Sequence, residues 1–305
     1  MPELGDTAVN IDWLRYTVPW KITDLENWEK VSPSQMLTRA LELAVMPVSA
    51  FRPDGEEKRG ILNYNRRYPM TAGSLMLHTE RPEQKIMIDI PGEGCAKYRE
   101  MGITDYDMLD YVRNSDARIA RLDIALDWYG QGSPLDIRDA HNQGKTRTGI
   151  RNTTEVVERS GNGKIAGTTV YFGSNTSDSR VRVYNKRAQM QTDYPWLRVE
   201  ATIKGEKAVS ALNALLGRSI DDAGRAIIRS IIDTQSVQWW VKAMTGPLIE
   251  IEPLGRKETD TDKWLLGVVR DKLEERLLAT MAEEDFGLYD AFLSTLEHAR
   301  KDTFD

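Results

Sequence analysis

Residues 121–128 read Arg-Leu-Asp-Ile-Ala-Leu-Asp-Trp, residues 180–186 read Arg-Val-Arg-Val-Tyr-Asn-Lys, and residues 198–204 read Arg-Val-Glu-Ala-Thr-Ile-Lys. In each, apolar and polar side chains alternate, the period of a strand with one buried and one open face. Leu122, Ile124, Leu126 and Trp128 fall on one side of the first segment, and Arg121, Asp123, Ala125 and Asp127 on the other. Val181 and Val183 oppose Arg180, Arg182, Tyr184 and Lys186. Val199, Ala201 and Ile203 oppose Arg198, Glu200, Thr202 and Lys204. Three strands of one design predict an antiparallel-rich sheet with an apolar back packed by helices and an ionisable front. An ordinary solvated face also carries cross-strand Arg–Glu pairs, so alternation alone leaves open whether the front is a site or a surface.

Outward from these segments, strand character recurs at 11–18 (stopped by Pro19), 74–79, 85–90, 118–128 and 168–172, with short helices at 33–46 and 105–113. Residues 91–95, Pro-Gly-Glu-Gly-Cys, read as a turn, and residues 145–164 as a basic loop. The pattern changes after Gly205. Helical periods follow at 207–216, 221–232, 235–244, 261–281 and 288–300, with 246–262 as a linker. The chain is therefore expected to be α+β: a strand-rich domain over 1–206, carrying the chemistry, and a helical region over 207–305 packed on it. No internal repeat is legible.

Composition narrows the function. The chain has 305 residues, 40% of them hydrophobic, which excludes global disorder. A single cysteine, Cys95, excludes a disulfide scaffold and suits a reducing cytoplasm. His78, His141 and His298 are the only histidines and are far apart, so no histidine metal motif exists. No apolar run reaches the ~20 residues of a membrane span, and the acidic, polar start is no signal peptide. The net charge of -6 hides a division: residues 138–187 hold ten Lys/Arg against four Asp/Glu, whereas 249–305 hold eight against fifteen. A basic middle attracts a polyanion whatever the total. Gly144-Lys145-Thr146 has Asp139 where a phosphate-binding loop needs glycine, and Gly163-Lys164 is followed by Ile165, so ATPase activity is rejected.

The polar fronts suit phosphodiester chemistry. Asp123 and Asp127 stand roughly 13 Å apart along one strand, too far to share an ion. Either, paired with Glu200 from a neighbouring strand, offers oxygen ligands for Mg²⁺ or Mn²⁺. Tyr184 serves as a nucleophile once its proton, with an ordinary pKa of about 10, is removed; Lys186 on the same face would help. Tyr171 is next in line. Plain alternatives stand beside each: an ordinary strand tyrosine, carboxylates paired with Arg121 or Arg198, surface arginines at 66 and 67, structural histidines, a buried inert Cys95, and Trp239-Trp240 as core.

These residues resemble the Rep_trans-type replication initiation factors of rolling-circle plasmids, filamentous phages and some conjugative elements. The likeness rests on Asp12-Trp13-Leu14, on Gly92-Glu93-Gly94-Cys95, and on residues 121–127, 167–186 and 196–204 in the family's order, spanning about 11 to 205. It implies a cytoplasmic nickase in a bacterial host that cuts one strand at an origin and keeps the 5′ phosphate on tyrosine. The 3′ hydroxyl primes synthesis, and a second transfer rejoins the DNA. By the same resemblance Tyr184 is the nucleophile, with Lys186 beside it. Arg198 contacts phosphate, and Asp123, Glu200 and Asp127 hold the metal. Arg121, Arg180, Arg182, Lys145, Arg147, Arg151 and Lys164 are the expected DNA contacts. Origin DNA, double- and single-stranded, a host helicase and a second copy are the expected partners, and no membrane is. Asn185 departs from the family, where an acidic residue is common. The rival readings are a DNA-binding regulator without chemistry, a conjugative relaxase, a metal-free tyrosine recombinase or topoisomerase, and a nuclease that activates water.

Overall fold

The structure, a computed structural model, describes residues 2–21, 31–44, 51–79, 83–163 and 165–246, all within one unit spanning Met1–Gly255. The expected helices at 261–281 and 288–300, most of the expected linker, and Lys164 lie outside these residues.

In chain order the elements are β1 (Thr7–Lys21), α1 (Pro33–Ala44), β2 (Lys58–Arg59), β3 (Arg66–Met70), β4 (Gly73–Leu77), β5 (Glu83–Pro91), α2 (Gly92–Glu100), α3 (Asp105–Asn114), β6 (Arg118–Trp128), α4 (Pro134–Asn142), β7 (Thr146–Thr148), β8 (Thr153–Arg159), β9 (Ile165–Phe172), β10 (Ser179–Asn185), α5 (Lys186–Met190), β11 (Leu197–Lys204), α6 (Glu206–Leu216), α7 (Ile220–Ile231), β12 (Ile232–Thr234) and α8 (Gln238–Ala243). Ten strands form one antiparallel sheet in the order β2-β3-β4-β5-β1-β6-β11-β10-β9-β8, and β12 pairs with β7 separately.

Alternation decides the layers. Leu122, Ile124, Val181, Val183, Val199 and Ile203 are all fully buried on the back of the sheet. Each such side chain contributes about 1.5–3 kcal/mol relative to exposure. The helices cover this back: α2 on β1 and β5, α6 on β6 and β11, α7 on β1 and β6, and α4 on β9 and β10. At Gly224 of α7 a Cβ would stand 2.5 Å from Val9 Cγ1, so only glycine lets this helix approach β1. The front carries the ionisable rows.

The connections occur twice. A long strand (β1, then β6) is followed by a helix (α1, then α4) and a meander. The meander's last strand (β5, then β11) returns beside the long one and leads to a covering helix (α2, then α6). Because β1 and β6 are antiparallel neighbours at the centre, an approximate two-fold axis runs between them.

Several expectations need correction. The turn at 91–95 is the start of helix α2, with Pro91 as its N-cap. The basic loop contains strands β7 and β8; β8 is an edge strand exposed along nearly its whole length, so it lacks the burial that makes alternation visible. Arg66 and Arg67, expected as surface arginines, stand in strand β3. Strand β1 runs through Pro19 to Lys21 because its pairing with β6 ends at Thr17↔Arg118, leaving one side free of a partner that needs an N–H. The helix expected over 235–244 is the shorter α8, following β12.

Candidate active site

The register aligns the front of the sheet into rows, since directly paired residues share a face. Asp127, Arg198, Tyr184 and Thr169 form one row across β6, β11, β10 and β9. Ala125, Glu200, Arg182 and Tyr171 form the next. Trp13, Asp123, Thr202 and Arg180 form a third.

Arginines bind the carboxylates pairwise. Arg198 donates to both oxygens of Asp127 at 2.7 Å each, and its third nitrogen donates to Asp12 Oδ1 at 2.7 Å. The Trp196 indole N–H donates to Asp127 Oδ1 at 2.6 Å. Arg121 donates to both oxygens of Asp123, at 2.8 and 2.5 Å, and lies over the Trp13 ring at 4.1 Å. Arg15 and the Trp13 indole both donate to Asp89. Arg182 donates to Glu200 Oε2 at 2.6 Å, and the Tyr184 hydroxyl donates to the same oxygen at 3.4 Å.

The front therefore differs from an open wet surface: Asp123, Asp127 and Glu200 are buried beneath their own partners. Such pairing is required, because a buried unpaired carboxylate is far costlier than a paired one. Tyr184 is 9% exposed, with the Arg182 guanidinium over its ring at 5.0 Å and Lys186 Nζ at 5.8 Å. Strand β10 ends at Asn185. Lys186 opens α5 and donates to Gln189 Oε1 at 2.8 Å, yet it still lies by the tyrosine.

These surroundings shift the titrations. Burial raises the Glu200 carboxyl, and Asp12 and Asp123 raise it further against the pull of Arg182, so it is pushed up to about 7. Burial, then Glu200, raises the Tyr184 phenol, while Arg198 and Arg182 pull it down. Burial and Arg198 lower the Lys186 ammonium. For Arg198, burial opposes the charge, but Asp127 and Asp12 outweigh it and raise its pKa.

Asp12 is the member of the site that alternation misses. It is the extra residue of a bulge in β1, where Ile11 pairs with Ile124 but Trp13 with Asp123. The bulge leaves a trace in the sequence: buried Ile11 and Leu14 are three apart, after which Tyr16, Val18 and Trp20 follow at intervals of two. Gly92 at the start of α2 adjoins Asp12; a Cβ there would stand 2.9 Å from its Oδ1. Trp196, just before β11, is a second such member, through its indole bond to Asp127.

The expected metal trio is not gathered around one point. Among the described residues no three acidic, histidine or cysteine side chains form a cluster able to hold an ion. The oxygens of Asp127 and Asp123 are engaged by Arg198, Trp196 and Arg121. The bonds from Arg182, Tyr184 and Arg198 use one oxygen each of Glu200 and Asp12.

Of the expected DNA contacts, Arg121, Arg180 and Arg182 lie on the front with Tyr184. Lys145, Arg147 and Arg151 do not join them. They lie in and beside β7, whose neighbours are β12 and α4 on the helical side, and Arg147 is 3.7 Å from Asp233. Cys95 is buried. Trp240 is fully buried and donates to Asp233, and Trp239 donates to Asp136; both are core residues. His141 bonds Thr146. Arg66 pairs with Glu57. No helix among the described residues is long and apolar enough to cross a membrane.

The front of this one-sided antiparallel sheet sets a tyrosine among arginines and carboxylates. Residues 117–248, from β6 to beyond α8, match the Rep_trans family, described as replication initiation factor. A rolling circle replication initiator protein from Geobacillus stearothermophilus has a similar fold, with a TM-score of 0.60 and 18% identity over 78% of this chain and 96% of that one. No protein with a curated description matches.

Proposed function

We propose that the chain is a rolling-circle initiator that nicks one strand at a replication origin, becomes esterified through Tyr184, and later rejoins the DNA. The observation that carries this reading is the bond from the Tyr184 hydroxyl to Glu200, inside the family-matched segment and framed by Arg182 and Arg198. Glu200 takes the phenolic proton, its raised pKa placing it near the operating pH of a general base. The 3.4 Å separation is long for a proton transfer, and such bonds tighten when substrate arrives. The phenolate oxygen attacks phosphorus, a phosphorus–tyrosine bond forms, and the bond to the 3′ oxygen breaks. That oxygen leaves as a hydroxyl after taking a proton. Arg182 and Arg198 face the gathering phosphate charge.

Hard oxygen donors suit Mg²⁺ or Mn²⁺, and Mg²⁺ commonly takes one or two carboxylates and leaves its other positions to water and substrate phosphate. Asp12, of which only Oδ1 accepts from Arg198, fits that pattern as the holding carboxylate, and Glu200 is kept for the proton. When bound, the ion would neutralise charge building on the phosphate oxygens. Asp123 and Asp127 orient Arg121 and Arg198 instead. Origin DNA is the substrate, and with no ATPase loop in this sequence, unwinding falls to a host helicase.

Incubation with supercoiled DNA bearing the cognate origin, with Mg²⁺ or Mn²⁺, tests the reading. Covalent 5′ adducts that vanish in Tyr184→Phe support it. Nicking without an adduct points to water as the nucleophile, adducts through the 3′ phosphate that persist in EDTA point to a recombinase-type enzyme, and origin binding with no cleavage at all leaves a regulator.

A further inference from the structure

We propose that Tyr171 is a second nucleophile of the same face, taking the second strand while Tyr184 is occupied. This rests on the reading of Tyr184 given above. A tyrosine esterified to DNA cannot cut again, so a second cleavage before rejoining requires another hydroxyl.

The geometry sets Tyr171 beside the first. It pairs with Arg182 across β9 and β10, while Tyr184 pairs with Thr169, so the two tyrosines are diagonal neighbours on the front. Such neighbours lie roughly 7–8 Å apart. Both are built alike. The Arg182 guanidinium lies over the Tyr184 ring at 5.0 Å, and the Arg180 guanidinium over the Tyr171 ring at 5.3 Å. The Nε atoms of Arg180 and Arg182 are buried and have no hydrogen-bond partner in the described structure. A buried donor without a partner is costly, and phosphate oxygens would satisfy both. Tyr171 is only half-buried and no hydrogen bond engages its hydroxyl among the described residues, whereas Tyr184 is bonded to Glu200. Nothing in the packing of the sheet uses the Tyr171 oxygen.

The step balances. The Tyr171 oxygen attacks the phosphorus of the second site and loses its proton to solvent or to Glu200. A phosphorus–Tyr171 bond forms, the bond to the 3′ oxygen breaks, and that oxygen becomes a hydroxyl. The new 3′ hydroxyl attacks the phosphate on Tyr184, closing a circle and returning the Tyr184 phenol.

The test uses the whole chain and a single-stranded oligonucleotide carrying two copies of the nick site mapped with the wild-type protein. Circles of the intersite length are counted per Tyr184 adduct, which removes any change in the first cleavage. Protein is diluted until the circle yield per chain no longer depends on concentration, and DNA-bearing peptides are identified by mass. The proposal expects a peptide modified at Tyr171 in the wild type. In Tyr171→Phe it expects a fall in circles per adduct of more than about tenfold. Adducts confined to Tyr184, with Tyr171→Phe closing circles at the wild-type ratio, overturn it. Circles whose yield rises only with protein concentration also overturn it, because a second copy then supplies the hydroxyl. A one-site oligonucleotide separates the two readings: an adduct surviving in Tyr184→Phe there is a failure of the Tyr184 assignment itself.

Discussion

Tyr184 and Arg182 share a single carboxylate oxygen of Glu200: the phenol donates to Oε2 at 3.4 Å and the guanidinium at 2.6 Å. The acid is thus held near neutrality by two opposed causes. Burial and the neighbouring Asp12 and Asp123 favour its protonated form, and Arg182 favours the ionised one. A carboxyl so poised, beside a phenol that needs to lose a proton, sets the pH behaviour of the site.

If Glu200 is the base, its ionised form does the work. The nicking rate then rises about tenfold per pH unit below pH 7 and levels off above it. In Glu200→Gln the rise disappears and the plateau falls by about 10²–10⁴. A wild-type rate that is flat across the range around pH 7 removes Glu200 from that role.

The same shift appears in stability, measured in EDTA. The folded pKa of Glu200 lies above its unfolded value, so between about 4.5 and 7 the folded state keeps a proton that the unfolded state has lost. Stability from this group is fully present at the acid end and is lost as pH rises through that window. Glu200→Gln lacks the effect. Its unfolding free energy relative to wild type should climb with pH between those limits by roughly 3 kcal/mol at most, then stay level. A difference that is constant with pH shows an unshifted carboxyl.

Arg198 ties β11 to β6 through Asp127 and to β1 through Asp12. It is 9% exposed, so its removal strands two acids. Arg198→Met should cost about 3–5 kcal/mol in chemical denaturation. Arg198→Lys recovers little, since an ammonium cannot grip Asp127 with two parallel bonds. In a double-mutant cycle, Asp127→Asn combined with Arg198→Met should cost well under the sum of the singles. Full additivity would mean that the pair contributes nothing as a pair.

Cys95 should be inert in the folded chain. Burial raises its thiol pKa, and Asp105, Asp12 and Asp123 add to the rise against Arg99. Labelling by a maleimide at pH 8 should follow the unfolding rate and become fast only in denaturant. Prompt labelling of the native protein shows an open path to the thiol.

Alternation along residues 121–128, 180–186 and 198–204 was sufficient for three adjacent central strands, their faces and the grouping of Tyr184, Arg198 and Glu200. A strand buried on one face must write its period of two into the sequence. Strand β8 left no such mark because it is exposed at an edge, and α2 was hidden because Pro91-Gly92 suits a turn as well as a helix start. The doubling of β1–α2 by β6–α6 was invisible as well, since a shared order of connections needs no shared residues.

The sequence by itself determined which side chains face the front, because that depends only on local geometry and on burying the apolar ones. Which acid meets which base was decided only in the folded chain. The bulge at Asp12 brings a third strand to Arg198, and Arg121 and Arg198 take up the oxygens of Asp123 and Asp127 that had been expected to face an ion. Those choices depend on strand order and register, through which partners distant in sequence must satisfy charges too buried for water to reach.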